Sequence, residues 1–289
     1  AGKIEVMRSL QILSEFLSKY YNKSVILLID EYDVPMARAT SNGYYKEMLE
    51  IMKGFMQALK DNQCIKLAVI TGCLKIAKES IFTGTNNFVS NTITSSRLNE
   101  YYGFVQNEVD RILEDAEIKG KGDIMKKWYD GYHFGDVDVY CPWDVMCYVD
   151  DLQKNPNAKP DEYWKDTSDN VIIRSFIDYA GASITKKLET LMNGGYIIQR
   201  VDENLTYDYL HSSEENLWSL MYLTGYLTQV RDYKIDDDWQ DNMVALKIPN
   251  LEIKQIFETE VSKWFEDSSK KWNTVNLSIS SLMARSFSI

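Results

Sequence analysis

The chain has 289 residues, of which 45% are hydrophobic, and its formal net charge at pH 7 is −11. This length and apolar content are sufficient for two or three compact units with full cores. The negative charge disfavours nucleic acids and anionic membranes as partners of the molecule as a whole. The sequence has neither an apolar run of membrane-spanning length nor a signal-peptide pattern, so we expect a cytoplasmic protein.

Cysteine and histidine are too scarce and too scattered to predict a disulfide scaffold or a zinc site. The four cysteines, which we expect to be buried and reduced, are Cys64, Cys73, Cys141 and Cys147. His133 and His211 lack the spacing of a helical metal site. A catalytic triad containing one of them stays open, but no other feature supports it.

The first predicted element is an amphipathic helix. Val6, Leu10, Leu13, Leu17 and Tyr20 are spaced at alternating steps of three and four residues. This spacing predicts a helix that is buried along the stripe that these five side chains form.

Two continuous apolar runs, residues 25–29 and 65–70, predict strands buried on both faces, as in a parallel sheet. An amphipathic helix that includes Met48, Met52 and Phe55 is predicted between them. The order helix, strand, helix, strand is typical of an α/β layer.

The chain after residue 100 is predicted to be mainly helical and to end in a winged-helix-like unit. Short helices are predicted at residues 108–116, 123–129, 143–152 and 171–179. After a helix that ends at Asn193, the pattern predicts a strand, a helix and two strands, at residues 196–201, 214–223, 226–233 and 243–248. An acidic turn at 236–238 joins the last two strands, and Asn250 is predicted to cap a final helix.

Asp30 and Glu31 follow directly after the first predicted strand. A strand end holds two carboxylates rigidly and close together, which nucleotide-hydrolysing folds use to bind Mg²⁺ and to orient water. In that role Asp30 supports Mg²⁺ and Glu31 is the general base. A solvated acidic strand end fits these residues equally well.

Residues 27–35 (Leu-Leu-Ile-Asp-Glu-Tyr-Asp-Val-Pro) resemble the Walker B region of a bacterial AAA-ATPase-like family. Members of that family are often joined to a PD-(D/E)XK nuclease-like domain. Residues 70–82 resemble its second-strand motif, and Asn86 and Asn87 fall at its paired asparagines. Further blocks resemble the family in the same order, at residues 102–104, 128–132, 141–143, 163–170, 224–227 and 247–250.

The resemblance implies an α/β fold class, with an incomplete P-loop-type parallel sheet, a helical region and a winged-helix-like unit. We assign these three parts to residues 1–100, 101–187 and 188–289. The implied cofactors are ATP and Mg²⁺. The implied site consists of Glu31 as catalytic base, Asp30 at the metal, and Thr71, Lys75, Asn86 and Asn87 at the nucleotide. For Thr71 and Lys75, a simple turn and a solvated loop face are the alternatives.

The sequence lacks the Gly-x-x-x-x-Gly-Lys-Ser/Thr loop that binds phosphates in such proteins, and no nuclease-like block follows Trp264. We therefore expect a fragment that cannot hydrolyse ATP alone. Because the strand before the loop lies centrally in such sheets, residues 25–29 and 65–70 are expected to border a gap that leaves unpaired backbone groups and exposed aliphatic surface on at least one strand. We expect the exposed edge to be covered by a missing N-terminal segment, a partner chain, a second copy, or a rearranged segment such as the first helix or the serine-rich tail.

Residues 128–133, Trp-Tyr-Asp-Gly-Tyr-His, form a dense aromatic cluster. A packed helix end is favoured over a base-stacking or ligand platform. Gly131 is expected to adopt a conformation that a Cβ would forbid, and Asp130 to hydrogen-bond nearby backbone.

Three functions therefore compete. The first is a nucleotide-dependent switch, which the retention of Asp30 and Glu31 favours. The second is a non-catalytic scaffold in which both acids only shape the strand end. The third is an accessory part of a nucleic-acid-processing protein, which the net charge disfavours.

Overall fold

The computed structural model describes residues 2–60, 62–74, 88–164, 182–205, 213–231, 233 and 242–260. The helices are α1 (Lys3–Tyr21), α2 (Val34–Ser41), α3 (Tyr45–Met56), α4 (Gln106–Asp115), α5 (Gly122–Tyr129), α6 (Pro142–Lys154), α7 (Ala182–Met192), α8 (Glu214–Leu223) and α9 (residues 251–260). The strands are β1 (Val25–Ile29), β2 (Ile65–Ile70), β3 (Tyr132–Phe134), β4 (Val137–Val139), β5 (Ile197–Arg200), β6 (Thr228–Gln229) and β7 (Met243–Lys247). In the part of the chain described, no helix is long and apolar enough to cross a membrane.

The chain forms two compact units, each assembled from separate stretches of sequence. The first comprises residues 1–92, 199–224 and 235–244. The second comprises residues 93–198, 225–234 and 245–289. This division differs from the three consecutive regions expected from the sequence, which stay a prediction as functional domains.

In the first unit β1 and β2 pair directly and in parallel, with Ile29 opposite Ile70. The predicted gap between the two strands is therefore wrong. Helices α2 and α3 make the crossover from β1 to β2, as a parallel pair requires. Their buried side chains form a core with the inner face of the sheet, and this core includes Tyr32, Met36 and Met52.

The outer face of the β1–β2 sheet is apolar and exposed. Ile26 and Leu28 of β1 are 59% and 73% exposed, and Leu67 and Val69 of β2 are 53% and 46% exposed. Burial on both faces, expected from the continuous apolar runs, is therefore wrong for this sheet. Among the described residues, the α2–α3 layer packs on one face of the sheet, so alternate side chains point away from this core.

Helix α1 forms as predicted but buries a different stripe. Leu10 and Ser14 are its buried residues, whereas Leu13 is 53% and Tyr20 is 83% exposed. Helix α1 packs closely against α3 at Gly54. A Cβ added to Gly54 would lie only 2.7 Å from the Cβ of Met7 in α1. This close approach rotates α1 so that its more apolar stripe lies at the surface.

The second unit contains α4, α5 and α6, close to the bounds expected from the sequence. Their core includes Val109, Met125, Tyr129, Val145 and Tyr148. The antiparallel β3–β4 hairpin was not predicted in this helical region. The predicted helix at 171–179 lies outside the described residues.

The later elements follow the predicted order. A three-stranded sheet has the strand order β5-β7-β6, and β6 and β7 are antiparallel. Asn250 caps α9, since its Oδ1 accepts a hydrogen bond from the backbone N–H of Ile253 at 3.0 Å. The acidic turn at 236–238 lies outside the described residues, and the winged-helix assignment stays a prediction.

Candidate functional site

Asp30 and Thr71 lie side by side at the carboxyl ends of β1 and β2. Because Ile29 and Ile70 are direct partners in the parallel ladder, the next residue of each strand emerges at the same edge. The Thr71 hydroxyl donates a hydrogen bond to Oδ1 of Asp30. The backbone N–H of Thr71 donates to the carbonyl of Ile29 at 2.9 Å and continues the ladder. The structure thus brings together two of the residues that the sequence assigned to one site.

Glu31 is the third member of this group, and its backbone is in the left-handed region, with φ of 50°. Its N–H donates to Oδ1 of Asp30 at 3.0 Å and lies 3.4 Å from Oγ1 of Thr71. A residue with a Cβ is uncommon in this conformation, and such strain is frequent at functional sites. The exposed side chain of Glu31 is therefore held by a backbone that turns sharply where the strand ends.

Asp33 and Tyr32 hold the loop that follows β2, a role not predicted from the sequence. Oδ2 of the buried Asp33 accepts a hydrogen bond from the N–H of Leu74 at 3.0 Å, and Oδ1 accepts one from Cys73 at 3.3 Å. The hydroxyl of Tyr32 donates to the carbonyl of Leu74 at 2.7 Å. An added Cβ on Gly72 would lie 2.6 Å from both side chains. These contacts fix the loop directly after Thr71.

The strand end can supply a carboxylate ligand to Mg²⁺, but it cannot supply a complete set of coordinating ligands. Both hydrogen bonds that described residues donate to the Asp30 side chain use Oδ1, so Oδ2 is available to a cation or to its water. Asp33 instead faces backbone N–H groups. Within the residues that the structure describes, no cluster of three or more His, Cys, Asp or Glu side chains can hold a metal. Most ligands of a bound Mg²⁺ would therefore be phosphate oxygens and water.

Cys73 lies beside this site, but its thiol is a poor nucleophile. It reaches the surface, yet the surrounding protein and the charges of Asp33 and Glu31 raise its pKa to about 11. The thiol is therefore protonated at neutral pH. All four cysteines are free, as expected, but none is fully buried, because Cys73 is exposed and the others are partly exposed.

The remaining predicted nucleotide contacts cannot be placed. Lys75, Asn86 and Asn87 lie outside the described residues. Their assignment stays a prediction.

The aromatic cluster at 128–133 is a packed helix end, as the sequence favoured. Tyr129 is fully buried and packs against the rings of Tyr148 and Tyr163, with centroid distances of 5.8 and 5.9 Å. Its hydroxyl donates to the carbonyl of Asp161 at 3.0 Å. Tyr132 is also buried. These two rings are therefore not available as a base-stacking platform.

One part of the chain matches a known protein family. Residues 3–82 match the model of the AAA-ATPase-like family, described as predicted AAA-ATPases. This match contains α1, both parallel strands and the group formed by Asp30, Glu31 and Thr71.

A curated relative is 26% identical over 233 residues, and it is an uncharacterized protein in the vnfD 5′ region of Azotobacter chroococcum mcd 1. The aligned part is 80% of this chain but 41% of that relative, so the chain spans about two fifths of its length. No solved structure matches the chain. Residues 3–82 are thus similar to the AAA-ATPase-like family of predicted ATPases.

Proposed function

We propose that this chain is part of a nucleotide-dependent switch protein in which Asp30, Glu31 and Thr71 serve an ATP site. The observation that carries the proposal is the hydrogen bond between Thr71 and Asp30 at the ends of two paired parallel strands. Open α/β sheets bind their ligands at this edge. The family match over the same residues supports the proposal.

Each residue then has a distinct role. Asp30 holds Mg²⁺, directly or through water, with the oxygen that Thr71 does not engage. Glu31 orients the attacking water and accepts its proton. Thr71 fixes the rotamer of Asp30 and presents a hydroxyl where the terminal phosphate lies. When bound, Mg²⁺ neutralises charge on the phosphates.

This chain alone is expected to hydrolyse ATP negligibly, because its sequence supplies no glycine-rich phosphate loop. Measurable turnover by the purified chain, lost on Glu31→Gln, would show that the missing loop is not needed.

The decisive experiment uses the complete protein with the variants Glu31→Gln and Thr71→Val. Loss of a water-orienting base is expected to lower the hydrolysis rate on the order of 10²–10⁴-fold, while nucleotide still binds. Glu47→Gln, on the exposed surface of α3, is the control and should keep the parental rate. Hydrolysis near the parental rate in both site variants would exclude this function.

A non-catalytic interaction protein is the alternative, and the exposed face of Ile26, Leu28, Leu67 and Val69 favours it. Monomeric proteins rarely leave a contiguous apolar face in water. Coverage of this face by another segment of the complete protein or by a partner chain stays a prediction. Retained biological function of a Glu31→Gln protein that has lost hydrolysis would support the alternative.

A further inference from the structure

Tyr32 and Asp33, together called the clamp below, hold the segment that follows β2 at four backbone groups. The N–H of Tyr32 donates to the carbonyl of Thr71 at 3.0 Å, and its hydroxyl donates to the carbonyl of Leu74 at 2.7 Å. The carboxylate of Asp33 accepts hydrogen bonds from the N–H groups of Cys73 and Leu74, at 3.3 and 3.0 Å. The clamp therefore binds both ends of this four-residue segment.

The clamp and the segment approach too closely to leave room for a side chain between them. A Cβ added to Gly72 would lie 2.6 Å from Oδ1 of Asp33 and 2.6 Å from two ring carbons of Tyr32. Tyr32, Asp33 and Leu74 are all buried. Glycine at position 72 thus permits the close approach on which the four hydrogen bonds depend.

The start of α2 explains why the carboxylate of Asp33 binds this segment. Asp33 is the N-cap residue of α2, where an aspartate usually accepts from N–H groups of the first turn. Among the described residues, its side chain makes no such bond. The N–H of Val34 donates to the carbonyl of Glu31 at 3.1 Å, and Pro35 has no N–H. The N–H of Met36 donates to the backbone carbonyl of Asp33 at 2.9 Å. Backbone carbonyls thus satisfy the donors that an N-cap side chain usually serves.

The clamp also acts on the strand-end group, because both contain bonds to Thr71. Tyr32 directly follows Glu31, and its N–H binds the carbonyl of Thr71. The N–H of Thr71 binds the carbonyl of Ile29, and its hydroxyl donates to Asp30. Since β1 holds the N–H of Thr71 and the clamp holds the peptide groups after it, the backbone of Thr71 is fixed on both sides. The direction of its hydroxyl, and with it the rotamer of Asp30, therefore depends on the clamp.

We propose that Tyr32 and Asp33 are positioning residues that set Thr71 and Asp30 for ATP hydrolysis without contacting the nucleotide. This inference rests on the proposed function. Both clamp side chains are buried and bind backbone groups of the segment. Loss of a clamp contact thus keeps every group that touches ligand but places it less well. Because a misplacement of about 1 Å costs on the order of 10²-fold in rate, the hydrolysis step should be impaired more than nucleotide binding.

The test measures kcat and KM for ATP hydrolysis by the complete protein with Tyr32→Phe or Asp33→Asn. The first variant removes only a hydroxyl, and the second replaces one acceptor oxygen and the charge at nearly constant size. We expect kcat to fall about tenfold or more and KM to change less than about threefold, since only the placement of the strand-end group is altered. Tyr45→Phe, in the same core, is the matched control for a lost tyrosine hydroxyl and should keep the parental kcat.

A double variant separates positioning from a general loss of structure. Asp33→Asn is combined with Thr71→Val and compared with Thr71→Val alone. If the clamp acts through the hydroxyl of Thr71, adding Asp33→Asn should lower the residual kcat by less than about twofold, because that hydroxyl is already absent. A merely structural defect would lower kcat by the same factor in both backgrounds. If Asp33→Asn does not fold, Tyr32→Phe combined with Thr71→Val answers the same question.

Parental kcat in both clamp variants would overturn the inference, and so would equal factors with and without the hydroxyl of Thr71. A rise in KM that exceeds the fall in kcat would also overturn it, because the clamp would then serve binding. Glu31→Gln, measured alongside, keeps the two proposals apart. If Glu31→Gln loses hydrolysis while the clamp variants keep the parental rate, only the positioning role is refuted. Parental rates in both Glu31→Gln and Thr71→Val would instead refute the ATP site itself.

Discussion

Glu252 of α9 and Asp144 of α6 are fully buried and lie close enough for their carboxyl groups to interact directly. Burial and the neighbouring charge of Asp144 raise the pKa of Glu252 to about 9. The backbone N–H of Trp164 donates to Oε1 of Glu252 at 2.8 Å and offsets this only in part. At neutral pH the pair therefore holds at least one proton.

This pair predicts that the protein loses stability as the pH rises. The folded state keeps a proton that the unfolded state releases above a pKa of about 4.5, so the folded state binds more protons from there to about pH 9. The free energy of unfolding is expected to fall continuously over that range. Urea denaturation at pH 5, 7 and 9 measures it.

The variant Glu252→Gln should flatten that pH dependence and gain on the order of 1–3 kcal/mol at pH 8, because it removes an ionisation that burial opposes. Glu258→Gln, an exposed position on the same helix, should keep the parental slope. If the unfolding free energy of Glu252→Gln depended on pH as steeply as that of the parent, the proton retained by the folded state would be held by another group.

The left-handed backbone of Glu31 predicts that glycine is tolerated there without loss of stability. A residue with a Cβ pays about 1–2 kcal/mol in this region, which roughly offsets the extra unfolded-state entropy of glycine. Glu31→Gly should therefore be at least as stable as the parent, and Glu31→Val clearly less stable. Denaturant unfolding of both variants measures the difference.

The control is Glu47→Gly in the exposed face of α3, which should lose about 1 kcal/mol from helix propensity alone. Equal losses at the two positions would contradict the assignment of strain to Glu31. Backbone strain at a position where the acid is not needed for folding fits a functional role for the Glu31 side chain.

Asp33 is expected to matter for stability and Asp30 is not. Asp33→Ala leaves the backbone N–H groups of Cys73 and Leu74 without their charged acceptor, at a cost of about 2–3 kcal/mol. Asp30→Ala, at an exposed position, should cost less than about 1 kcal/mol. Hydrogen exchange at the Leu74 amide should accelerate only in the Asp33 variant. Similar exchange rates in both variants would show that other contacts hold the loop.

The sequence predicted elements that depend on local signals. Helix α8 was expected over 214–223, and Ser213 caps it by accepting a hydrogen bond from the N–H of Asn216. The final helix was located by Asn250 for the same reason. The β3–β4 hairpin was missed because its strands have three residues each, too few to show alternation.

Relationships between distant segments were not predictable. The role of Asp33 depends on direct pairing of β1 with β2, which brings residues 73–74 to it. The stripe of α1 was misjudged because the close approach of Met7 to Gly54 decides which side is buried.

The environment of Gly131 predicts a large effect of a single added methyl group. Its φ of 105° is unfavourable for any residue with a Cβ, and the added atom would lie 2.4 Å from the carbonyl oxygen of Pro249. A backbone atom cannot move aside as a flexible side chain can, so both costs apply. Gly131→Ala is expected to lose about 3 kcal/mol or more of unfolding free energy.

Gly120→Ala is the matched control for this loss. Gly120 also has a positive φ, of 68°, but nothing lies within 4 Å of the added Cβ. It should therefore lose only about 1–2 kcal/mol, the cost of the left-handed conformation by itself. The difference between the two variants in urea denaturation isolates the contact with Pro249. Equal losses of unfolding free energy in the two variants would mean that the backbone near Pro249 moves to accommodate the added methyl group. Gly131 would then not fix the position of Asp130.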